Sequence, residues 1–173
     1  MGQKVCSPTC AGRLVRAQKA QGKRELRARK AALKTIPDLL KEARHEVHAY
    51  IRLRDRLAGY PCISCASPLD WSGNKVDAGH FRGVGRAPHL RFHEQNIHAQ
   101  CKHCNDYLAG NYGDYRIGLI ERIGLEAVEA LEADNRIHRW TREELIAIRD
   151  KYRRLTKELR AAREAMEATW SLY

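Results

Sequence analysis

The chain is 173 residues long, carries a formal net charge of +11, and is 31% charged but only 7% aromatic. This composition excludes a large buried core, and no apolar run reaches the length of a membrane span. Arg and Lys interrupt every early stretch that could form a signal-peptide core, so a cytoplasmic protein is expected, with a polyanion, nucleic acid first, as its partner.

The charge is uneven. Residues 1–34 hold ten Lys/Arg against one acid, Glu25, whereas residues 35–173 hold twenty-two basic and twenty acidic side chains. "VCSPTC" at 5–10 opens this arm with a Cys6-x3-Cys10 pair and runs into a basic stretch of helical composition. From Leu26 to Leu33 that stretch lacks a broad apolar stripe, so it is expected as a solvated helix or as a segment that orders on DNA. A second helix is expected to begin at Thr35-Ile36-Pro37-Asp38, where proline suits a first turn. Leu39, Leu40, Ala43, Val47, Tyr50, Ile51 and Leu57 mark its apolar face, and Gly59 and Pro61 end it.

Residues 60–112 change character, with four of the six cysteines, five of the eight histidines and three of the five prolines. Short strands and loops are expected here. Helical spacing returns in "YRIGLIERIG" and "LEAVEALEAD", and Thr141-x-x-Glu144 forms a capping box that opens a last long helix. Along it Leu145, Ile148, Tyr152, Leu155, Leu159, Ala162 and Met166 alternate spacings of three and four. That a/d seam suits either a coiled-coil dimer or packing on the chain's own domain. The expected organisation is a basic arm with a partial cysteine knuckle (1–34), a helix leading into the core (35–58), a zinc-stapled core (59–116) and a C-terminal helical region (117–173). The fold class is α+β, mostly helical.

In a reducing compartment these cysteines read as metal ligands rather than disulfides. Cys62-x2-Cys65 and Cys101-x2-Cys104, separated by 35 residues, offer four thiolates to tetrahedral Zn2+. The gap fits a treble clef, with a hairpin between the knuckles and a helix after the second. Asp77 and His80 fall where a hairpin strand would end, and Gly79 is read as allowing an unusual backbone angle. Asn96 precedes Cys101 by five residues, and Asn105 follows Cys104 directly. A histidine near its ordinary pKa takes a proton from water at neutral pH. Oxygen ligands suit Mg2+, which stabilises charge developing on a phosphate. Alone, a loop histidine reads as a packed structural residue; beside Asp77, Asn96 and Asn105 the balance moves to a one-metal nuclease.

Cys-x2-Cys, a histidine ending a strand, then N-x4-C-x2-C followed by Asn resembles the HNH, or ββα-metal, nucleases. The variant with Asn after the last cysteine is similar to the phage junction resolvase endonuclease VII. More closely, "PCISC", "DAGHF", "LRFHEQNIHAQC" and the following "CN" resemble the lambdoid phage NinG (Rap) recombination endonucleases, from about Ile36 to the C-terminal helix. The resemblance implies structural zinc on Cys62, Cys65, Cys101 and Cys104, and His80 as the general base. It implies Asn96 orienting that histidine or bracing its loop, and Asn105 with Asp77 as ligands of a catalytic Mg2+, or Mn2+. Two departures stand out: Gly79, not an acid, directly precedes His80, and Leu108 stands where many relatives carry a lysine. Arg82, Arg86, Arg91 or Arg116 is then expected to contact phosphate. Cys6 and Cys10 look like half of a second knuckle, which relatives complete with an upstream pair. The implied activity is Mg2+-dependent endonucleolytic hydrolysis of branched DNA, such as Holliday junctions or D-loops, by a homodimer in the host bacterial cell. The alternative is a non-catalytic zinc-stabilised module that binds branched DNA. A transcription factor is the weakest reading, since helix-turn-helix and C2H2 spacings are both missing from the sequence.

Overall fold

A computed structural model describes residues 7–170; the expectation for Cys6 lies outside them. The elements in chain order are α1 (Pro8–Ala32), α2 (Ile36–Leu57), β1 (Val76–His80), β2 (Ile97–Cys101), α3 (Tyr112–Ile123), α4 (Leu125–Ala133) and α5 (Arg142–Trp170). The molecule is therefore mostly helical, with one two-stranded sheet. It forms two compact units that divide between Asp38 and Leu39.

In the first unit, α1 starts where Ser7 Oγ accepts a hydrogen bond from the Cys10 amide, 3.2 Å. Its Ala, Arg, Lys and Gln are strong helix formers. Its few apolar side chains, Leu14, Val15 and Leu26, stay exposed. Of the two forms expected for the arm, the structure has the solvated helix. At the start of α2, Thr35 Oγ1 accepts from the Asp38 amide and Asp38 Oδ2 accepts from the Thr35 amide, 3.4 and 3.0 Å, so the two end groups cap each other.

The second unit has two cores with the sheet between them. On one side Leu39, Ala43, Val47 and Ile51 of α2 pack with Ala78, Ile97 and Phe92 and with Leu145 and Tyr152 of α5. On the other, Ile63, Phe81 and Leu90 pack with Tyr115 and Leu119 of α3 and Val128 and Leu131 of α4. Each fully buried Leu, Ile or Val contributes about 1.5–3 kcal/mol, and two strands alone would not persist in water. Leu57, expected on the apolar face of α2, is exposed; the buried residue of the last turn is Asp55.

Asp55 is buried because it closes the free edge of β2. Its Oδ2 accepts from the Ala99 amide at 2.6 Å, its Oδ1 pairs with Arg54 Nε at 2.7 Å, and Arg122 of α3 stands 3.7 Å from Oδ2. Both arginines also point at His98 Nδ1, at 3.1 and 3.4 Å, while His98 Nε2 meets the Gln95 carbonyl at 3.2 Å. A guanidinium only donates and a carbonyl only accepts, so this imidazole is neutral, with its proton on Nε2. Burial accordingly pulls its pKa down from 6.5 to about 4, against the opposing pull of Asp55. A depressed base binds fewer protons folded than unfolded, so its contribution is complete above pH 6.5 and fades toward pH 4. At 1.36 kcal/mol per unit, about 3 kcal/mol is lost across that window. Denaturant unfolding at pH 7 and pH 4.5 is expected to show this loss, and His98→Gln to flatten it.

The capping box of α5 forms as expected: the Thr141 amide donates to Glu144 Oε2 at 2.8 Å, and the Glu144 amide to Thr141 Oγ1 at 3.2 Å. The a/d seam divides. Leu145 and Tyr152 are buried, with Ile148 and Leu155 packed beside them, so its first half is used within the chain. Met166 remains exposed.

Candidate metal centre and the residues around it

The two knuckles meet because α3 is pressed against the first. Gly118 lies so close to the Ile63 carbonyl that a Cβ there would fall far inside van der Waals contact. Gly118→Ala is expected to cost about 1–3 kcal/mol through overpacking, measurable as a lowered urea midpoint with unchanged slope. Gln100 ties the other side, donating from Nε2 to Ser64 Oγ and to the Gly110 carbonyl, both at 2.7 Å. Its side chain crosses over Gly79, where any Cβ would collide with it. Gly79 is thus required for room; its backbone is not among those with positive φ, unlike the angle expected from the sequence.

The Sγ atoms of Cys62, Cys65, Cys101 and Cys104 all lie within 4.8 Å of one another. Cys62 and Cys65 stand 3.7 and 3.9 Å from Cys101. Zn–S bonds of about 2.3 Å at tetrahedral angles put sulfurs about 3.8 Å apart, so the cluster fits a metal such as zinc. Amide donors also surround the sulfurs, the Cys101 N–H to Cys62 Sγ at 3.4 Å and Asn111 Nδ2 to Cys104 Sγ at 3.7 Å, which stabilises bound thiolate. Burial pushes the Cys104 thiol up to about 12. For Cys65 burial is opposed by hydrogen bonds from Ser67, and the thiol falls to about 7.

The other site residues fall into two groups. Asp77 and Asn105 come together: Asn105 Nδ2 donates to Asp77 Oδ2 at 3.2 Å and to Asp106 Oδ1 at 2.9 Å. Lys102, between the cysteines of the second knuckle, places its ammonium 3.0 Å from Asp77 Oδ2 and 3.2 Å from Asp106 Oδ2. Two carboxylates thus share one cation, and the Asn105 amide donates to both of them. Sequence reasoning missed Asp106 and Lys102; their signal was adjacency to Asn105 and Cys101.

His80 is three residues from Asp77, and the pleat alternation sends the two to opposite faces. Its ring turns toward α2, with centroid 5.4 Å from that of His48, and Nε2 stands 3.0 Å from the Arg91 carbonyl. The carbonyl accepts, so Nε2 carries the proton and Nδ1 is the free acceptor of a neutral ring. Burial lowers its pKa below the ordinary value, opposed by the Arg91 carbonyl and assisted by Arg91 and Arg44. Asn96 is fully buried, and its side chain hydrogen-bonds to neither a histidine nor a carboxylate. Its Oδ1 accepts from the Arg82 amide at 2.8 Å, and Nδ2 donates to the Arg82 and Leu90 carbonyls, each at 3.1 Å. It clamps the loop whose next residue, Arg91, holds His80.

Two of the four candidate phosphate contacts are committed elsewhere. Arg82 donates to the Leu131, Glu132 and Asp134 carbonyls, neutralising the C-terminal end of α4. Arg116 makes a two-pronged pair with Glu132 at 2.8 and 3.0 Å. Arg86 is exposed, and Arg91 is half-buried beside His80.

Fold and centre together define a mostly helical protein around a small sheet and a four-cysteine cluster able to bind zinc. The model of the Bacteriophage Lambda NinG protein family matches residues 1–164, and the chain belongs to that family. It is 47% identical over 139 residues to protein ninG of Salmonella phage P22, covering 80% of this chain and 66% of that one. To protein ninG of Escherichia phage 933W it is 47% identical over 141 residues, 82% and 68% of the two chains. To that of Escherichia phage lambda it is 46% identical over 139 residues, 80% and 66%. The chain therefore spans about two thirds of the length of these relatives. No solved structure matches it. Among the described residues, no helix is long and apolar enough to cross a membrane.

Proposed function

We propose that this chain is a metal-dependent DNA endonuclease of the HNH type, acting on branched recombination intermediates, with the four-cysteine cluster as structural zinc in a treble clef. The observation that carries the reading is the meeting of Asp77 and Asn105 beside the second knuckle, at 3.2 Å. A carboxylate and an amide from different elements, with Asp106 adjacent, form the hard oxygen donor set that Mg2+ takes. Mn2+ suits the same donors. The bound cation supplies charge stabilisation at the phosphate. Asp77, Asp106 and, with its amide turned from the present donating orientation, Asn105 would hold the ion in place of the Lys102 ammonium.

His80 then acts as general base through Nδ1. It accepts a proton from water as the water oxygen bonds to phosphorus and the P–O3′ bond breaks, leaving a 5′-phosphate and a 3′-hydroxyl. The Arg91 carbonyl fixes the ring, and Asn96 is a positioning residue that acts through the 82–91 loop. Asp77 and His80 lie on opposite faces of β1, so a phosphate that both serve would have to bridge the edge of that strand. The branched substrate and the symmetric dimer rest on the family resemblance.

A second reading has one observation in its favour. The Lys102 ammonium lies 3.0 Å from Asp77 Oδ2, so this carboxylate already has a cationic partner within the chain, which fits a zinc-stapled module that binds branched DNA and does not cut it. Incubating the protein with a synthetic four-way junction and with matched linear duplex, with and without Mg2+, separates the two. Mg2+-dependent nicking of the junction is expected. Tight junction binding with no cleavage in either Mg2+ or Mn2+ selects the binding module.

A further inference from the structure

The two long helices of the second unit change the character of their contact partway along. Arg149 of α5 pairs with Glu42 of α2 at 3.1 Å, and Arg153 pairs with Glu46 at 2.7 Å. Both pairs have the same sequence separation, 107 residues, so the helices run parallel with opposite charges in register. One turn further the pattern stops. At Ala49 there is no carboxylate, and beyond it α2 presents Arg52 and Arg56 while α5 presents Lys157 and Arg160. Residues spaced by four or three share a helix face. None of these four cations has an acidic partner among the described residues, although Arg154 and Arg163 of α5 are each paired to a glutamate one turn on.

The helices do not close over this stretch. Arg52, Arg56 and Arg160 line a cleft of about 290 Å³ together with Trp71, Asn74 and Asp77. Ala49 and Arg160 also line a second hollow of about 500 Å³, bordered by His45, Arg153 and Lys157 and by two carboxylates, Glu46, which Arg153 already pairs, and Glu164. The two hollows share Ala49 and Arg160 and are taken together as one groove along α2, whose far end reaches Asp77. Like charges facing one another across a concave surface repel, and the same geometry focuses potential on an anion that enters.

We infer that this groove binds the sugar–phosphate backbone of one DNA strand and leads it to Asp77. The inference rests on the nuclease reading for where the strand ends, but not for the binding itself. Arg52, Arg56 and Arg160 take successive phosphates, and the Trp71 indole offers a stacking surface to an unpaired base, as in sequence-tolerant single-strand sites. A branched substrate supplies such a strand where its duplex arms open. His48 lies one turn before Arg52 on α2 and faces His80, so one helix face flanks both ends of β1. These arginines, rather than Arg82 and Arg116, become the principal phosphate contacts.

The test measures binding of a fluorescein-labelled single-stranded oligonucleotide by anisotropy across a salt series, in Mg2+-free buffer without chelator so that zinc stays bound. Each phosphate contact on a single strand contributes about 0.7 to the slope of log affinity against log salt. The triple variant Arg52→Gln, Arg56→Gln, Arg160→Gln is expected to lower that slope by about 2. Arg160→Gln alone, on an exposed helix face where folding is not at risk, lowers it by about 0.7. Trp71→Ala is expected to weaken binding roughly tenfold at an unchanged slope. An unchanged slope in both arginine variants overturns the groove, whether or not the protein cuts DNA. Lowered slopes with a wild type that never cleaves a junction leave the groove standing and remove the nuclease reading.

Discussion

With zinc on its four cysteines, as proposed, this chain is expected to lose the fold of most of its second unit when the metal is stripped. The sheet has five paired positions and cannot stand alone. What holds it is a pair of cores, one of which is built on Ile63, inside the first knuckle. Without metal, Cys62, Cys65, Cys101 and Cys104 are four thiols within 4.8 Å with no cross-link between segments more than 30 residues apart. Structural Zn2+ supplies roughly 10–16 kcal/mol in small domains, which matches or exceeds the whole stability of an ordinary domain. A strong chelator, or Cys104→Ser, should therefore abolish cooperative unfolding and much of the far-UV signal from α3, α4 and the sheet. Among the described residues of α1 none is buried. The burial that drives the Cys104 thiol up to about 12 means that metal must displace protons, so zinc affinity falls as pH falls. Verified metal-free protein that keeps its circular dichroism and melting temperature would show the cluster to be dispensable.

His80→Ala and Asp77→Asn are each expected to abolish junction cleavage while leaving zinc content and melting behaviour nearly unchanged. Loss of a general base costs about 10²–10⁴ in rate. Loss of a metal-ligating carboxylate is expected to be at least as severe, with partial recovery in excess Mn2+ for Asp77→Asn only. The pH profile gives a sharper test. The His80 pKa is lowered chiefly by burial, so the ring is neutral, and competent as a base, throughout the neutral range. Cleavage should stay flat above pH 6.5 and fall only on the acid side of it. Asn96→Ala should shift this acid limb and lower the rate less than His80→Ala does, because Asn96 acts only through the loop that carries the Arg91 carbonyl. If His80→Ala cuts as fast as wild type, the base is another residue and the present assignment of roles is wrong. Full activity in Asp77→Asn at ordinary Mg2+ would remove the proposed cation site.

Part of this molecule could be read directly from the order of its residues. The two knuckles were legible because a metal site with C-x2-C spacing is local at each half and needs only to be brought together. The Thr141–Glu144 box and the α2 face from Leu39 to Ile51 were legible because helix geometry converts spacing of three and four into one side of a cylinder. The neighbourhood of Asn105 and Asp77 was legible from the motif, although the strand alternation that turns His80 away from Asp77 was not drawn from it. Tertiary structure decided which element covers which apolar face. The α5 seam, open in sequence to a partner copy, is satisfied in its first half by α2. It also decided where polar groups find their opposites. Asp55 is buried because Ala99 and Arg122 reach it from distant segments. Arg82 and Arg116 are taken up by α4, while Arg52, Arg56 and Arg160 are left facing one another. Periodicity fixes which residues share a side, but a charge is stabilised or stranded by whatever lies across from it, and that is set only when helices far apart in the chain come to lie together.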